Sequence, residues 1–288
     1  MLSSSSHRGF TLVEIMIAMG LTLLVTSALY RTLVSIQRLS RGQTERVSLQ
    51  SNVRAGVFAL ASELRELGTV TGGTSSRNDL ITMAPDAVTY RAMRGVGFTC
   101  QVPTPTQITI ARGSFSGYRD PQPGRDSAFL FVEGSVETGQ EATWLPFAIT
   151  VVSTATACPG GRGPGMTLTT GVSGALPPVE VGTPVRIYEV MELRLYRSDG
   201  EFWLGARSVS SGENIQPMAG PLTQANGLLL EYLDRLGGRT GDLTAVGSIG
   251  VTVRGISQGA VHASGDQGPL ARIQEELVTQ VTLRNALH

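Results

Sequence analysis

Histidine, lysine and cysteine are the side chains that most often carry acid–base, covalent or metal chemistry, and this chain uses them sparingly. Its three histidines are His7, His262 and His288. A Ser/His/Asp or Cys/His arrangement would therefore rest on His262, which lies in a Gly/Ser-rich segment. All 23 basic residues are arginine, which excludes Schiff-base and lysine–phosphate chemistry. Cys100 and Cys158 stand far apart and form no metal-type pair. They read either as one disulfide of an exported domain or as two buried thiols. The run Gly160 to Gly165 is glycine-rich but lacks the Lys-Ser/Thr ending of a phosphate loop, so a flexible surface loop is expected. Asp234 and Asp242 bracket the turn Leu236 to Gly241 without the alternating acids of a calcium loop, so a solvated turn is expected. No enzyme, cofactor or metal is expected from this inventory.

One residue stands out against its surroundings. Glu14 is the sole charge in an apolar run from Phe10 to Tyr30. That run is about twenty residues, long enough to cross a bilayer as a helix. A carboxylate at membrane depth costs about 2.5–3.5 kcal/mol, so it normally has a partner. The nine residues before the run are short and polar, with Arg8 as their firm positive charge and Gly9 at the edge. In a secretory signal the small residue of the cleavage site follows the apolar region; here it precedes it, and nothing like Ala-x-Ala follows. The apolar run is thus expected to stay on the mature protein. A cut after Gly9 would free an amine on Phe10, one helical turn from Glu14. The alternative is a carboxylate that snorkels to the headgroup layer.

Gly9-Phe10-Thr11-Leu12-Val13-Glu14 resembles the type IV prepilin motif, matched over all six residues. The resemblance implies cleavage after Gly9 by a prepilin peptidase and N-methylation of Phe10. It also implies that Glu14 pairs with the N-terminal amine of an adjacent subunit during assembly. The arginines argue the other way on topology. Arg31, Arg38, Arg41 and Arg46 follow the apolar run, and a positive-inside count would put that side in the cytoplasm. Large domains translocate largely regardless of charge, so the motif decides for a cytoplasmic N-terminus.

The elements that position these residues follow from pattern. No proline interrupts Tyr30 to Leu67, and Val53, Val57, Leu60, Leu64 and Leu67 recur at helical spacing. The helix is therefore expected to continue through Leu67 with an amphipathic second half that packs on a globular domain. Gly42 and Gly56 each weaken it by about 1 kcal/mol relative to Ala. Over the whole chain of 288 residues, 35 glycines and 14 prolines, with many Ser and Thr, favour short strands and long loops beyond the helix, and the 16% charged content is below that of ordinary soluble domains. Strands are expected at 88–91, 107–110, 128–132, 147–152, 185–196, 202–207, 228–233, 249–256 and 277–283, with an Asp199-Gly200 hairpin turn. The fold class is α+β, with a leader at 1–9, a transmembrane or filament-core helix at 10–30, its continuation at 31–67 and a β-rich domain at 68–288. The hydrophobic half of the helix is expected to protrude and the amphipathic half to be packed.

Glu192 to Arg207, Gln216-Pro217-Met218-Ala219, Leu230 to Asp234, Val251 to Arg254 and Val281 to Asn285 are similar to stretches of PilW-type minor pilins. J-type pseudopilins of type II secretion share much of this pattern. The stretch from 70 to 180 resembles nothing known. The resemblance implies a minor pilin that helps initiate a type IV pilus at or near its tip. Its partners would be other minor pilins, the major pilin and a tip adhesin. The domain would be periplasmic on a single-pass inner-membrane anchor, then part of a cell-surface pilus. A J-type pseudopilin is the alternative in the same class, and a surface- or ligand-binding module on a filament is the alternative in another. With a net charge of zero, nothing steers the chain toward nucleic acid.

Overall fold

The computed structural model describes residues 10–68, 78–134, 142–172, 174–224, 226–262 and 268–284. One helix, α1, runs from Leu12 to Arg65. Fifteen strands follow among the described residues. The first seven are β1 (Leu80–Ala84), β2 (Ala87–Thr104), β3 (Gln107–Ala111), β4 (Ser116–Gly117), β5 (Asp126–Val132), β6 (Thr143–Ser153) and β7 (Gly165–Thr170). The next four are β8 (Pro184–Ser198), β9 (Glu201–Ser208), β10 (Gln216–Leu222) and β11 (Leu228–Asp234). The last are β12 (Val246–Ile256), β13 (Val261–His262), β14 (Leu270–Ala271) and β15 (Gln274–Thr282). The protein is thus one long N-terminal helix followed by a strand-rich domain.

The chain divides into two compact units, Met1–Leu49 with Ser257–Ile273, and Gln50–Ile256 with Gln274–His288. This division cuts both of the expected parts 31–67 and 68–288. In the first unit, the apolar half of α1 is exposed on every side from Leu12 to Leu33. Further along, Glu45 accepts a hydrogen bond from the Gly259 amide at 3.4 Å. The short β13–β14 pair belongs to the same unit.

In the second unit the stripe Val53, Val57, Leu60, Leu64 and Leu67 is buried. The helix stops two residues before the expected end. The Leu67 amide bonds to the Leu64 carbonyl at 3.2 Å, and the Asp79 carboxylate accepts the Gly68 amide at 2.8 Å. An acid from the next segment therefore terminates the element.

Strand pairing closes on itself. Following hydrogen-bonded neighbours, β2 leads to β3, β7, β6, β5 and β8, and β8 pairs with β2 again. Alternate residues of this ring fill its core: Ile108 and Ile110, Ala128 and Leu130, Phe147 and Ile149, Met166 and Leu168, Val185 and Ile187. Period-two burial of this kind is what a closed sheet demands of each strand. β8 outlasts the ring and continues through β9, β10, β12 and β11, with β15 on the other side of β12. The β8–β9 turn has Asp199 at φ 51° and Gly200 at φ 83°, the left-handed pair that a two-residue hairpin needs.

The expected strands fall inside observed ones with longer bounds, except that the last, 277–283, runs one residue past the end of β15 at Thr282. β1, β4, β7, β10, β13 and β14, together with the second half of β2, lie where no strand was expected. β10 contains Pro217 and Pro221, and β7 opens on Gly165, residues that ordinarily argue against a strand. Gly165 is consequently a strand residue rather than the end of a loop. The rest of the run to Gly163 is tied back at Cys158, whose amide donates to the Gly163 carbonyl at 2.9 Å.

Candidate functional site

Of the residues singled out for processing and assembly, Phe10 and Glu14 are described, at the start of α1. Gly9 lies outside the described residues. Phe10 is 83% exposed and lies two residues before the first residue of the helix. Thr11 is the N-cap, and Glu14 sits three residues on. The Glu14 carboxylate accepts the Thr11 amide at 3.2 Å and the Thr11 hydroxyl at 3.4 Å, while the Glu14 amide donates to the Thr11 hydroxyl at 3.2 Å. This reciprocal pattern is a capping box: each side chain satisfies an amide that the helix start leaves without a partner. The signal, Thr-x-x-Glu before an apolar run, was present in the sequence and was not read there. It supplies a third use for Glu14 beside the amine pair and the snorkelling carboxylate.

The rest of the apolar segment is suited to a medium without water. An 18-residue window of α1 has a mean hydropathy of 2.1, with none of it buried. Its threonine and serine hydroxyls bond within the helix. Thr22 donates to the Ala18 carbonyl at 2.7 Å, Thr26 to Thr22 at 2.7 Å, Ser27 to Leu24 at 3.1 Å and Thr32 to Ala28 at 3.0 Å. Back-bonding of this kind suits serine and threonine hydroxyls to a medium without water. One face carries Phe10, Ile15, Ala18, Met19, Leu23 and Thr26 in line with Glu14. The helix is long and apolar enough to be a membrane anchor.

Elsewhere the structure places the remaining candidates. Cys100 in β2 and Cys158 in the β6–β7 connection form a disulfide with Cα atoms 5.7 Å apart. His262 hydrogen-bonds through its Nδ1 to the Gly268 carbonyl. Asp234 and Asp242 each close their own turn. Asp234 accepts the Leu236 and Gly238 amides at 2.8 and 2.9 Å, and Asp242 accepts the Thr244 amide at 2.9 Å. No cluster of three or more metal-ligating side chains occurs among the described residues.

The densest group of charges was invisible in the sequence. The Glu189 side chain in β8 is 2% exposed and meets Arg94 at 2.9 Å, Arg125 at 2.6 Å and Arg119 at 3.2 Å. Arg119 also pairs with buried Asp126, and Glu63 of α1 accepts the Tyr90 hydroxyl at 3.0 Å. Burial pushes the Glu189 carboxyl up, but hydrogen bonds from Ser208 and Arg94 and the charges of Arg94 and Arg125 outweigh it and leave it below the usual range. A carboxylate held ionised among arginines is a fixed counter-ion, and this group ties α1, β2, β5 and β8 together.

Comparison with known proteins bears on the first of these two sites. Residues 4–30 match the family model described as the prokaryotic N-terminal methylation motif. No curated protein and no solved structure matches the chain. The motif, placed at the head of a capped apolar helix, marks a type IV pilin- or pseudopilin-like protein processed as a prepilin.

Proposed function

We propose that the protein is a minor pilin of a type IV pilus, cut after Gly9, N-methylated at Phe10 and inserted into the filament through α1. The observation that carries this reading is the position of the matched motif. It runs from the segment before α1 through the apolar, exposed first half of a helix whose second half packs a buried stripe into a strand-rich unit. Such a helix has one half to give to lipid or neighbouring helices and one half to hold a cargo domain. The length and the PilW-like stretches of the C-terminal part support a minor rather than a major subunit, with other minor pilins, the major pilin and a tip adhesin as partners. The disulfide supports a periplasmic domain, an oxidising compartment. The role is structural and needs no catalysis.

Mass spectrometry of sheared filaments, with Glu14→Gln beside the native chain, tests this. Native filaments should yield a peptide that begins at N-methylated Phe10, at low abundance relative to the major subunit. Glutamine at the third helical position keeps the capping box but removes the charge. Glu14→Gln should therefore insert into the membrane and be absent from filaments. Full incorporation of the variant would refute the charge role, and the peptide appearing in a secretion filament rather than a pilus would give the J-type pseudopilin reading.

A further inference from the structure

β15 pairs with β12 over nine residues with no shift in register, and among the described residues no strand pairs with its other side. The groups on that open side follow from the hydrogen bonds at the two ends of the ladder. The Leu283 amide donates to the Gly247 carbonyl at 3.0 Å, and the Ser257 amide donates to the Ile273 carbonyl at 2.9 Å. Both are the next pairs in the same antiparallel register, so the odd-numbered residues of β15 spend their backbone groups on β12. The even-numbered residues, Gln274, Glu276, Val278, Gln280 and Thr282, aim their N–H and C=O groups at the open side. All five are exposed, and Val278 is 61% exposed.

Sheets protect open edges with prolines, charged side chains, bulges, very short strands or a covering segment. β15 has no proline and no bulge over nine residues, and its charges are Glu275 and Glu276, the latter paired with Arg254. Among the described residues the chain meets its outward side only past the strand, where the Arg284 amide donates to the Leu67 carbonyl at 2.9 Å. β1, by comparison, has five residues and a break in register between Leu80 and Thr82.

We propose that this edge is an interface between two copies of the chain, joined β15 to β15 in an antiparallel pair about a two-fold axis at Val278. The side chains select that register. It sets Gln274 opposite Thr282 of the second copy, Glu276 opposite Gln280, and Val278 opposite itself. Every outward N–H then meets an outward C=O, and all five outward residues take part. Moving the axis to Glu276 would place two carboxylates face to face, which directly opposed strand positions disfavour. Moving it to Leu277 or Thr279 would leave an end of the strand unpaired. The chosen register instead gives the Glu276 carboxylate, already held by Arg254 at 2.5 Å, an amide as its neighbour and covers Val278. An interface of this kind is isologous and closes at two copies. It depends neither on cleavage after Gly9 nor on Glu14, so it stands whether or not the pilin reading holds.

The test uses the full-length, uncleaved chain in detergent. Its native cysteines are joined to each other, so an introduced thiol is the free one. Hydrogen-bonded antiparallel partners lie about 5.5 Å apart at Cα, within the span of a disulfide. Val278→Cys should give a disulfide-linked dimer under mild oxidation. Thr282→Cys alone should not, whereas Thr282→Cys mixed with Gln274→Cys should. Val278→Pro removes an outward N–H and takes no bond from β12. It should weaken dimerisation by about tenfold or more while keeping the Cys100–Cys158 disulfide and native protease resistance. A Val278→Cys chain that stays monomeric, a Thr282→Cys chain that links to itself as readily, or a Val278→Pro chain that dimerises like the native one would each overturn the proposal. So would a monomeric native chain in which Val278→Pro blocks filament entry, since that would assign the edge to an unlike partner.

Discussion

Glu14 and Glu189 are both carboxylates in surroundings that disfavour charge, and each is kept by a different physical device. Glu14 stands at the head of an apolar helix, where the first amides lack partners and the helix dipole favours a negative charge. Its bonds to Thr11 hold it against the backbone, one turn from where a freed Phe10 amine would lie. Glu189 is inside the protein and survives there because three guanidinium groups surround it. Glu189→Gln strands those arginines beside a neutral amide. At neutral pH it should destabilise the protein by about 3 kcal/mol, the lower part of the range for broken buried pairs because the arginines are partly exposed. The folded carboxyl lies below its unfolded value. Its contribution is therefore present above about pH 4.3, the ordinary value for glutamate, and is lost as pH falls through the depressed folded value. Thermal unfolding in detergent at pH 7 and pH 3 should show a large gap between native and variant at the first and a small one at the second. An equal gap at both would remove the ionic explanation.

At the level of elements, α1 is a single helix built for two surroundings. Its apolar half bonds its threonine and serine hydroxyls internally, and its second half is amphipathic, with Leu60 and Leu64 fully buried. Gly56 lies on the buried side. A Cβ there would come within 2.8 Å of the Ala219 Cβ in β10, so the glycine is a close-approach residue as well as a weak helix former. Helix propensity alone says that Gly56→Ala should stabilise by about 1 kcal/mol. Overpacking says the opposite and is the larger effect, so Gly56→Ala should destabilise by about 1–3 kcal/mol. Ala219→Gly in the same chain should restore most of the loss. Denaturant midpoints for the two single variants and the double variant form the cycle; a stabilised Gly56→Ala chain would show that β10 yields more easily than the packing implies.

For the molecule as a whole, two long strands organise the second unit. β2 and β8 pair with each other over most of their length, and β8 passes from the closed ring into the sheet of β9 to β12. The Cys100–Cys158 bridge fastens β2 to the β6–β7 connection across 58 residues of sequence. Loop-closure entropy for that separation gives about 4 kcal/mol of stabilisation through the unfolded chain. Cys100→Ser with Cys158→Ser should lower unfolding stability by up to that amount, and reductant should do the same to the native chain. Unchanged melting of the reduced protein would show that the ring holds without its tie.

The sequence alone determined the N-terminal segment, because that segment is governed by local rules. A helix that must satisfy its own backbone in lipid declares itself by hydropathy, and the glycine-to-glutamate motif is contiguous from Gly9 to Glu14. The buried stripe from Val53 to Leu67 was legible for the same reason, as a 3.6-residue period. The Thr11–Glu14 capping box was equally local and was legible too. What only the tertiary structure decided depends on partners distant along the chain. Ring closure needs β2 and β8, about a hundred residues apart in sequence, and no local period announces it. β7 and β10 are strands in spite of their glycine and prolines because neighbours supply the ladder. The Glu189 group gathers residues from four elements, and arginine and glutamate scattered along a sequence carry no sign of which will be buried together. The open edge of β15 belongs to the same class: its alternating residues read as a strand, but which side of it stays unpaired is settled by β12.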